Sequence, residues 1–352
     1  MEKYYIISAE QIIDQNGDLN NIDQMLLHIN STGLRNKHLI IDPLSAGWFT
    51  PQEKGHFRSG NSAIEAIEFG CKYLNNNIFD VITISGKDFL KSDYDRQERT
   101  QMMEIYNHTS LIEMYTELSE EWCKKNSITE NQFIKLADLL LNNYIKTYED
   151  QCKLSLPDIN SKWLKPITSL FRGIDCANPA IDYEGKLIIA TTYGIKKLNL
   201  DLNNCIEIKG ISTIYTKDSG MESIPEIATY QHLSHAISNT IQQANIDFIT
   251  EFTNHNVMIE VYTCFPIAPL SFLQASGLAK TYTEFEHIIL NYPITITGGM
   301  NLAKAAWNNP ALRATIQAFH LLKKQTVKYI GIHGNGGLGE KQGFIILEGN
   351  KR

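Results

Sequence analysis

Apolar positions along this chain recur at strand and helix periods, in an order that comes round twice. "YYIISAEQII" (4–13) has the dense apolar run of a buried strand. "NIDQMLLHI" then spaces its apolar residues for a helix, and "HLIIDP" reads as a second strand. After the glycine-bearing stretch "GHFRSGNS", Ile64, Ile67, Phe69 and Leu74 mark a helix from Asn61 to Leu74, and "DVITIS" closes the unit as a strand. The order is βαβαβ.

From Ser92 to about Ile174 the strand signals fade into polar, helical sequence, and Ser127 with Glu130 predicts a capping box ahead of a long helix. Strands return in "GKLIIATTYGIKKL" and "CIEIKGISTIYT". One helix is predicted over "IPEIATYQHLSHAISNTIQQANI", a strand over "NVMIEVYT", and a helix over "PLSFLQASGL" closed by Gly277. An apolar strand before Gly298, a helix "ALRATIQAFHLLKK", and the strands "VKYIGIH" and "GFIILEG" around a glycine turn complete the pattern. The boundaries that follow are a first half over 1–91, a mostly helical insert over 92–174, the end of the first half over 175–204, and a second half over 205–352.

Composition narrows the class. A chain of 352 residues with 43% hydrophobic and 20% charged residues has room for a sizeable α/β interior. No apolar run reaches the roughly 18 residues that suggest a membrane-spanning helix, and "MEKYYIISAEQII" lacks the organisation of a signal peptide, so a cytoplasmic protein is expected. Net charge is -7 with no dense Lys/Arg stripe, which argues against nucleic acid as a partner. The six cysteines are scattered without CxxC spacing, which predicts reduced thiols and neither a metal site nor a disulfide framework.

Several stretches offer chemistry, each with a plainer reading beside it. "GNGGLG" (334–339) matches a dinucleotide fingerprint, but a strand follows where that site needs a helix, so a hairpin turn is expected there. Cys264 sits where a strand gives way to a helix, a place where amides can favour a thiolate, although a buried structural thiol fits as well. Gly298 and Gly299 leave room for a backbone to approach a ligand or an oxyanion, or for a tight turn, with Asn308 and Asn309 placed to cap the helix that starts at Pro310. His333, at a strand end, is an acid/base candidate or a bystander.

Taken in order, these segments resemble the thiolase superfamily, closest to the sterol-carrier-protein-type thiolases and the acetyl-CoA acetyltransferase-like proteins. "SGNSAIEAIEFGCKYLNNNIFDVITISG" is similar to the family's nucleophile helix and next strand, and "EEWCKKNSITENQFIKLAD" to its loop-domain helices. "NVMIEVYTCFPIAPLSFLQASGL", "ITGGMNLAKAAWNNPALRATIQAF" and "GIHGNGGLGEKQGFIILEG" resemble the three second-half blocks. The resemblance implies an α/β fold of two similar halves in α/β/α/β/α layers, coenzyme A or an acyl-CoA as ligand with no covalent cofactor, and a homodimer. It also allows a small OB-fold or enzyme partner subunit.

By that alignment the nucleophilic Cys is replaced by Phe57, ahead of Arg58, Ser59 and Gly60. The Asn or His of the next block falls at Tyr262, the catalytic His near Ala305, and the second Cys near His333. "YTCFP" and "WNN" resemble features of the acetyltransferase-like subgroup. The leading expectation is a thiolase-like protein of acyl-CoA, lipid or polyketide-type metabolism that lacks Claisen chemistry, as a non-catalytic or partner subunit. The first alternative is an acyltransferase with a relocated site, in which Cys264 is nucleophile, His333 is base, and amides near Gly298 or Gly336 hold the oxyanion. The second is an interaction module without acyl-CoA binding.

Overall fold

Both βαβαβ runs join one mixed sheet, and the second half repeats the strand pairing of the first, which carries one short strand more. The computed structural model describes residues 2–44, 55–104, 110–157 and 159–349. Its first half contains β1 (Tyr4–Ile13), α1 (Asn20–Ser31), β2 (Asn36–Ile41), β3 (His56–Phe57), α2 (Ser62–Asn75) and β4 (Val81–Phe89). Three helices follow, α3 (Arg96–Met102), α4 (Leu111–Asn126) and α5 (Glu130–Lys146), before β5 (Asp182–Thr191) and α6 (Thr192–Lys197). Then come β6 (Ile206–Tyr215), α7 (Ile224–Ile227), α8 (Gln231–Ala244), α9 (Phe248–Thr253) and β7 (Val257–Glu260). The chain ends with α10 (Ile267–Ala275), α11 (Tyr282–Asn291), α12 (Gly299–Leu302), α13 (Pro310–Lys323), β8 (Tyr329–Gly336) and β9 (Lys341–Gly349).

β2 is parallel to β4, β4 antiparallel to β5, and β5 antiparallel to β1. The second half copies this: β7 is parallel to β8, β8 antiparallel to β9, and β9 antiparallel to β6. β1 meets β6 over Tyr4–Ile6 and Ile206–Ile208, which gives the order β3-β2-β4-β5-β1-β6-β9-β8-β7. Even the bulges correspond, between Ile6 and Ser8 in β1 and between Ile208 and Gly210 in β6. A bulge adds local bend and twist, so both strands turn away from their short shared ladder and the halves fold towards each other.

The helices α2 and α13 fill the space between. Ile64 and Ile67 of α2 and Leu312, Ile316 and Phe319 of α13 share one core with Ile6, Ile189, Ile208 and Ile345 of the strands. Outside, Ile22, Ile29, Ile195 and Leu198 of α1 and α6 cover Tyr5, Ile7 and Ile188. Leu233 and Ile237 of α8 cover the second half. The result is the α/β/α/β/α layering. The inserted helices have no separate core: Trp122 of α4 and Phe133 of α5 are buried in the same cluster as Phe265, Phe272 and Phe344.

A buried Asn heads each central helix and is seated on glycine of the opposite half. Asn61, before α2, lies against Gly334 and Gly343, which face each other across β8 and β9. Asn309, before α13, lies against Gly86 of β4. A Cβ on any of these glycines would overlap the Asn side-chain oxygen. Neither Asn61 nor Asn309 makes a side-chain cap bond, so the capping expected of Asn309 gives way to this seat in the opposite sheet.

Other local expectations are corrected. The capping box belongs to Thr129 and Gln132, while Ser127 closes α4 in a left-handed conformation (φ 54°). The helix expected over 224–246 breaks at Tyr230 (φ 46°) into α7 and α8. The stretch before Gly298 is no strand, because the Glu260 carboxylate accepts the amides of Ile296 and Thr297 that a neighbouring strand would bond, the second at 2.9 Å. The strand expected over "GKLIIATTYGIKKL" ends at Thr191, whose side chain accepts from Gly194 N and starts α6; the short β3 and the helices α9, α11 and α12 are further additions to the expected elements. Among the described residues no helix is long and apolar enough to cross a membrane, and no group of three or more His, Cys, Asp or Glu side chains is placed to hold a metal ion.

Candidate functional site

A cavity of about 290 Å³ opens where the two halves and the insert meet. The head of α2 supplies Ser59 and Gly60, and α4 reaches in with Leu111, Ile112 and Tyr115. The chain after β7 supplies Tyr262, Cys264 and Phe265; the loop between α12 and α13 supplies Ala305, Trp307 and Asn308; the β8–β9 region adds Asn335 and Gly337. Thr100, Met103 and Glu104 from the end of α3 also line it, as do residues of the 176–179 stretch, which is held by Ala177 N donating to Cys264 O at 2.9 Å and Asn178 N to Met300 O at 3.0 Å. Tyr115 stacks on Phe265 with ring centroids 4.1 Å apart.

Asn308 fastens the halves at this point. Its Oδ1 accepts from Ser59 N at 2.8 Å, its Nδ2 donates to Asp42 O at 2.9 Å, and its carbonyl accepts from Ser62 Oγ at 2.5 Å. Asp42 in turn accepts from His56 Nδ1 and Arg58 Nε, each at 2.7 Å. The tie holds Ser59 in the left-handed region (φ 91°) at the turn from β3 into α2, a conformation that a non-glycine residue keeps only when its surroundings impose it. The turn has the strand-to-strained-serine-to-helix shape of a nucleophile elbow. However, the Ser59 hydroxyl accepts from Asn61 N at 3.3 Å, and among the described residues no imidazole is bonded to it.

Phe57 itself is buried away from the cavity, its ring 5.7 Å from Phe69 in the core over α2. Cys264 does reach the cavity wall. Its thiol donates to the Tyr115 hydroxyl at 3.5 Å, and burial pushes its pKa up to about 12, outweighing that bond and the nearby amides. Burial likewise raises the Cys176 thiol. Thiols held this way are poor nucleophiles near neutral pH.

His333 stands behind the wall. Its Nε2 donates to Gln342 Oε1 at 2.7 Å, its Nδ1 accepts from Tyr262 N at 3.4 Å, and burial lowers its pKa to about 4. No hydrogen bond joins it to Cys264, so the thiol–imidazole pair expected of a relocated acyltransferase is not formed. Gly298 and Gly299 (φ 90° and 82°) face Tyr148 and Tyr144 of the insert and line no part of the cavity. Gly336 packs on the Ser59 hydroxyl. Tyr262 is brought in as expected, its hydroxyl over Gly60, where a Cβ would overlap it.

No protein-family model and no curated protein matches the chain. Solved structures do. A monomeric SCP2-thiolase-like protein type 1 from Mycobacterium smegmatis superposes with a TM-score of 0.71 at 15% identity, over 99% of this chain and 78% of that one. The Ltp2-ChsH2(DUF35) aldolase gives 0.67 at 12% identity over 100% and 99%. Human mitochondrial 3-ketoacyl-CoA thiolase gives 0.59 at 15% identity over 99% of each chain. The chain has a thiolase-like fold. At these identities the likeness speaks for the fold, and the chemistry rests on the residues in the cavity.

Within this thiolase-like fold, sequence reading missed Tyr115 and Asn335. They share a hydrogen bond of 3.1 Å across 220 positions. The available signal for Asn335 was a lone amide among the glycines of "GIHGNGG". Nothing in the spacing of α4 distinguishes Tyr115 from its buried neighbours Met114 and Leu118.

Proposed function

We propose that this thiolase-like protein holds an acyl chain, as an acyl-CoA or related lipid, in the cavity between its halves, and does so without acyl transfer through cysteine. The observation that carries the reading is the make-up of the wall: mostly apolar and aromatic side chains, two thiols kept protonated, a few hydroxyls and amides, and, among the described lining residues, Glu104 as the one charged group with no His, Lys or Arg. Such a wall favours burial of a hydrocarbon chain, and no described lining residue offers Cys264 the imidazole that activates an acyl-transferring thiol.

Binding of the acyl group predicts stabilisation by mass action, about 2.7 kcal/mol at a ligand concentration a hundred times Kd. In thermal denaturation with CoA, acetyl-CoA, hexanoyl-CoA and decanoyl-CoA, the midpoint should rise with chain length and remain unmoved by CoA alone. A midpoint unchanged by every acyl-CoA would refute the reading and leave an interaction module as the alternative.

Phe57→Cys is expected to give no thiolysis of acetoacetyl-CoA above background. The new thiol would lie in the core beside Phe69, and a nucleophile gains little without its base. Turnover by this single variant, measured as loss of the acetoacetyl-CoA enolate absorbance, would place the reactive centre at Phe57 after all.

Assembly belongs to the same proposal. The M. smegmatis protein is described as monomeric, and the aldolase is described as Ltp2 with ChsH2. For this chain we propose a subunit role, as a homodimer or beside a small partner, which light scattering of the purified protein separates from a monomer.

A further inference from the structure

The polar corner of the cavity has a direction built into it. Gln342 Nε2 faces two oxygens, Asn335 Oδ1 at 2.5 Å and Gly339 O at 2.9 Å, so that end of the side chain is the donor. Its Oε1 is therefore the acceptor, and His333 Nε2, 2.7 Å away, carries the proton. The other imidazole nitrogen accepts from Tyr262 N, which fits the same neutral tautomer. With Asn335 Oδ1 occupied by Gln342, its NH2 group is turned towards Tyr115 Oη at 3.1 Å and Cys264 Sγ at 4.0 Å. Tyr115 spends its own proton on Gly337 O at 3.0 Å. One Asn335 N–H serves Tyr115, and the other meets only a distant sulfur, a weak acceptor.

A buried donor with so poor a partner, at the wall of an otherwise apolar cavity, calls for an acceptor on the ligand. The wall carries no His, Lys or Arg among its described residues to neutralise an anion, its one charged group is the carboxylate Glu104, and a carboxylate placed beside Asn335 would be a buried, unpaired charge.

We infer that the cavity selects a neutral carbonyl compound with an apolar chain, a ketone or an acyl thioester, whose oxygen accepts a hydrogen bond from Asn335 Nδ2, and that it rejects the corresponding free acid. Gln342 and His333 are positioning residues: they touch no ligand and set which end of the Asn335 amide faces the cavity. This inference rests on the ligand-holding reading above.

Trp307 lines the cavity, so its fluorescence reports occupancy. The probes are decan-2-one, decane, decan-2-ol and decanoate, titrated into the purified full chain. Decan-2-one should bind about tenfold more tightly than decane, the worth of one hydrogen bond to a buried donor. Decanoate should bind more weakly than either. In Asn335→Leu, which keeps the size of the side chain but removes the donor, the ketone should lose about tenfold while decane is held.

Decanoate binding as well as decan-2-one, or decane matching the ketone, overturns the carbonyl inference and leaves the apolar cavity standing. No binding of any probe overturns both. Should Asn335→Leu not fold, the order of the four probes on the wild-type protein decides the matter alone.

Discussion

Gly334→Val is expected to destabilise the fold by about 3 kcal/mol, at the upper end of what overpacking a core costs. A Cβ at Gly334 would overlap the Asn61 side-chain oxygen and come within 2.9 Å of Ile64 Cδ1 and 3.1 Å of the Asn61 Cα. The last contact matters most, because a backbone atom at the head of a buried helix cannot swing aside as a side-chain tip can. Relief requires α2 to shift, and α2 is tied through Ser59 and Ser62 to Asn308 of the other half. The predicted loss thus reaches the cavity wall. Urea unfolding checks it, with Gly173→Ala as control. A Cβ there meets its nearest neighbour at 3.4 Å, an ordinary contact, and the change should stay within about 0.5 kcal/mol. Wild-type stability in Gly334→Val would mean that Asn61 is not seated on this glycine.

His333 is expected to make stability fall by about 3 kcal/mol as pH drops from its ordinary pKa of 6.5 to about 4, its value in the fold. The sign follows from proton uptake. Below pH 6.5 the unfolded chain binds a proton that the buried, neutral imidazole does not, so acid favours unfolding. The contribution is intact above 6.5 and is lost as pH falls through 4. His232, which bonds Gly339 O at 2.7 Å and is also lowered by burial, adds in the same direction. Glu260 and Asp88 act the other way. Burial raises each to about 7, so their contribution is complete below the ordinary carboxylate range and is lost as pH rises towards 7. Because the two trends overlap, the wild-type profile alone is ambiguous and the comparison with His333→Gln is informative. That variant should be less stable at pH 7, and its deficit should shrink on acidification. Parallel profiles for the two proteins would show that His333 is not neutral in the fold.

Much of the fold was legible because it is written in local periods. β1 was readable over its full length from one apolar run, and "GNGGLG" was readable as a hairpin because a strand follows it; the turn lies between β8 and β9. The periods failed where a distant group replaced a local bond. Glu260 takes over amides that make 293–297 look like a strand, and the left-handed backbone of Tyr230 interrupts a helical pattern that continues past it.

The candidate site was less legible for the same reason. Tyr262, Cys264 and Asn308 were singled out and do reach the cavity, whereas Gly298, Gly299 and His333 serve packing and orientation behind it. Tyr115 enters from an inserted helix, and Asn335 takes its orientation from Gln342. Neither relation leaves a trace in residue spacing. The family resemblance alone pointed to Phe57; the structure buries that ring in the core, and the residues of that turn that line the cavity are the strained Ser59 and Gly60.

An acyl group held without a covalent bond leaves the mass of the protein unchanged. The measurement that tests it most directly is the intact mass of the protein after incubation with acetyl-CoA and with acetoacetyl-CoA, followed by peptide mapping. An unmodified mass at neutral pH is the expected result. An acetyl adduct mapped to Cys264 and lost in Cys264→Ala, or one mapped to Ser59, would contradict it.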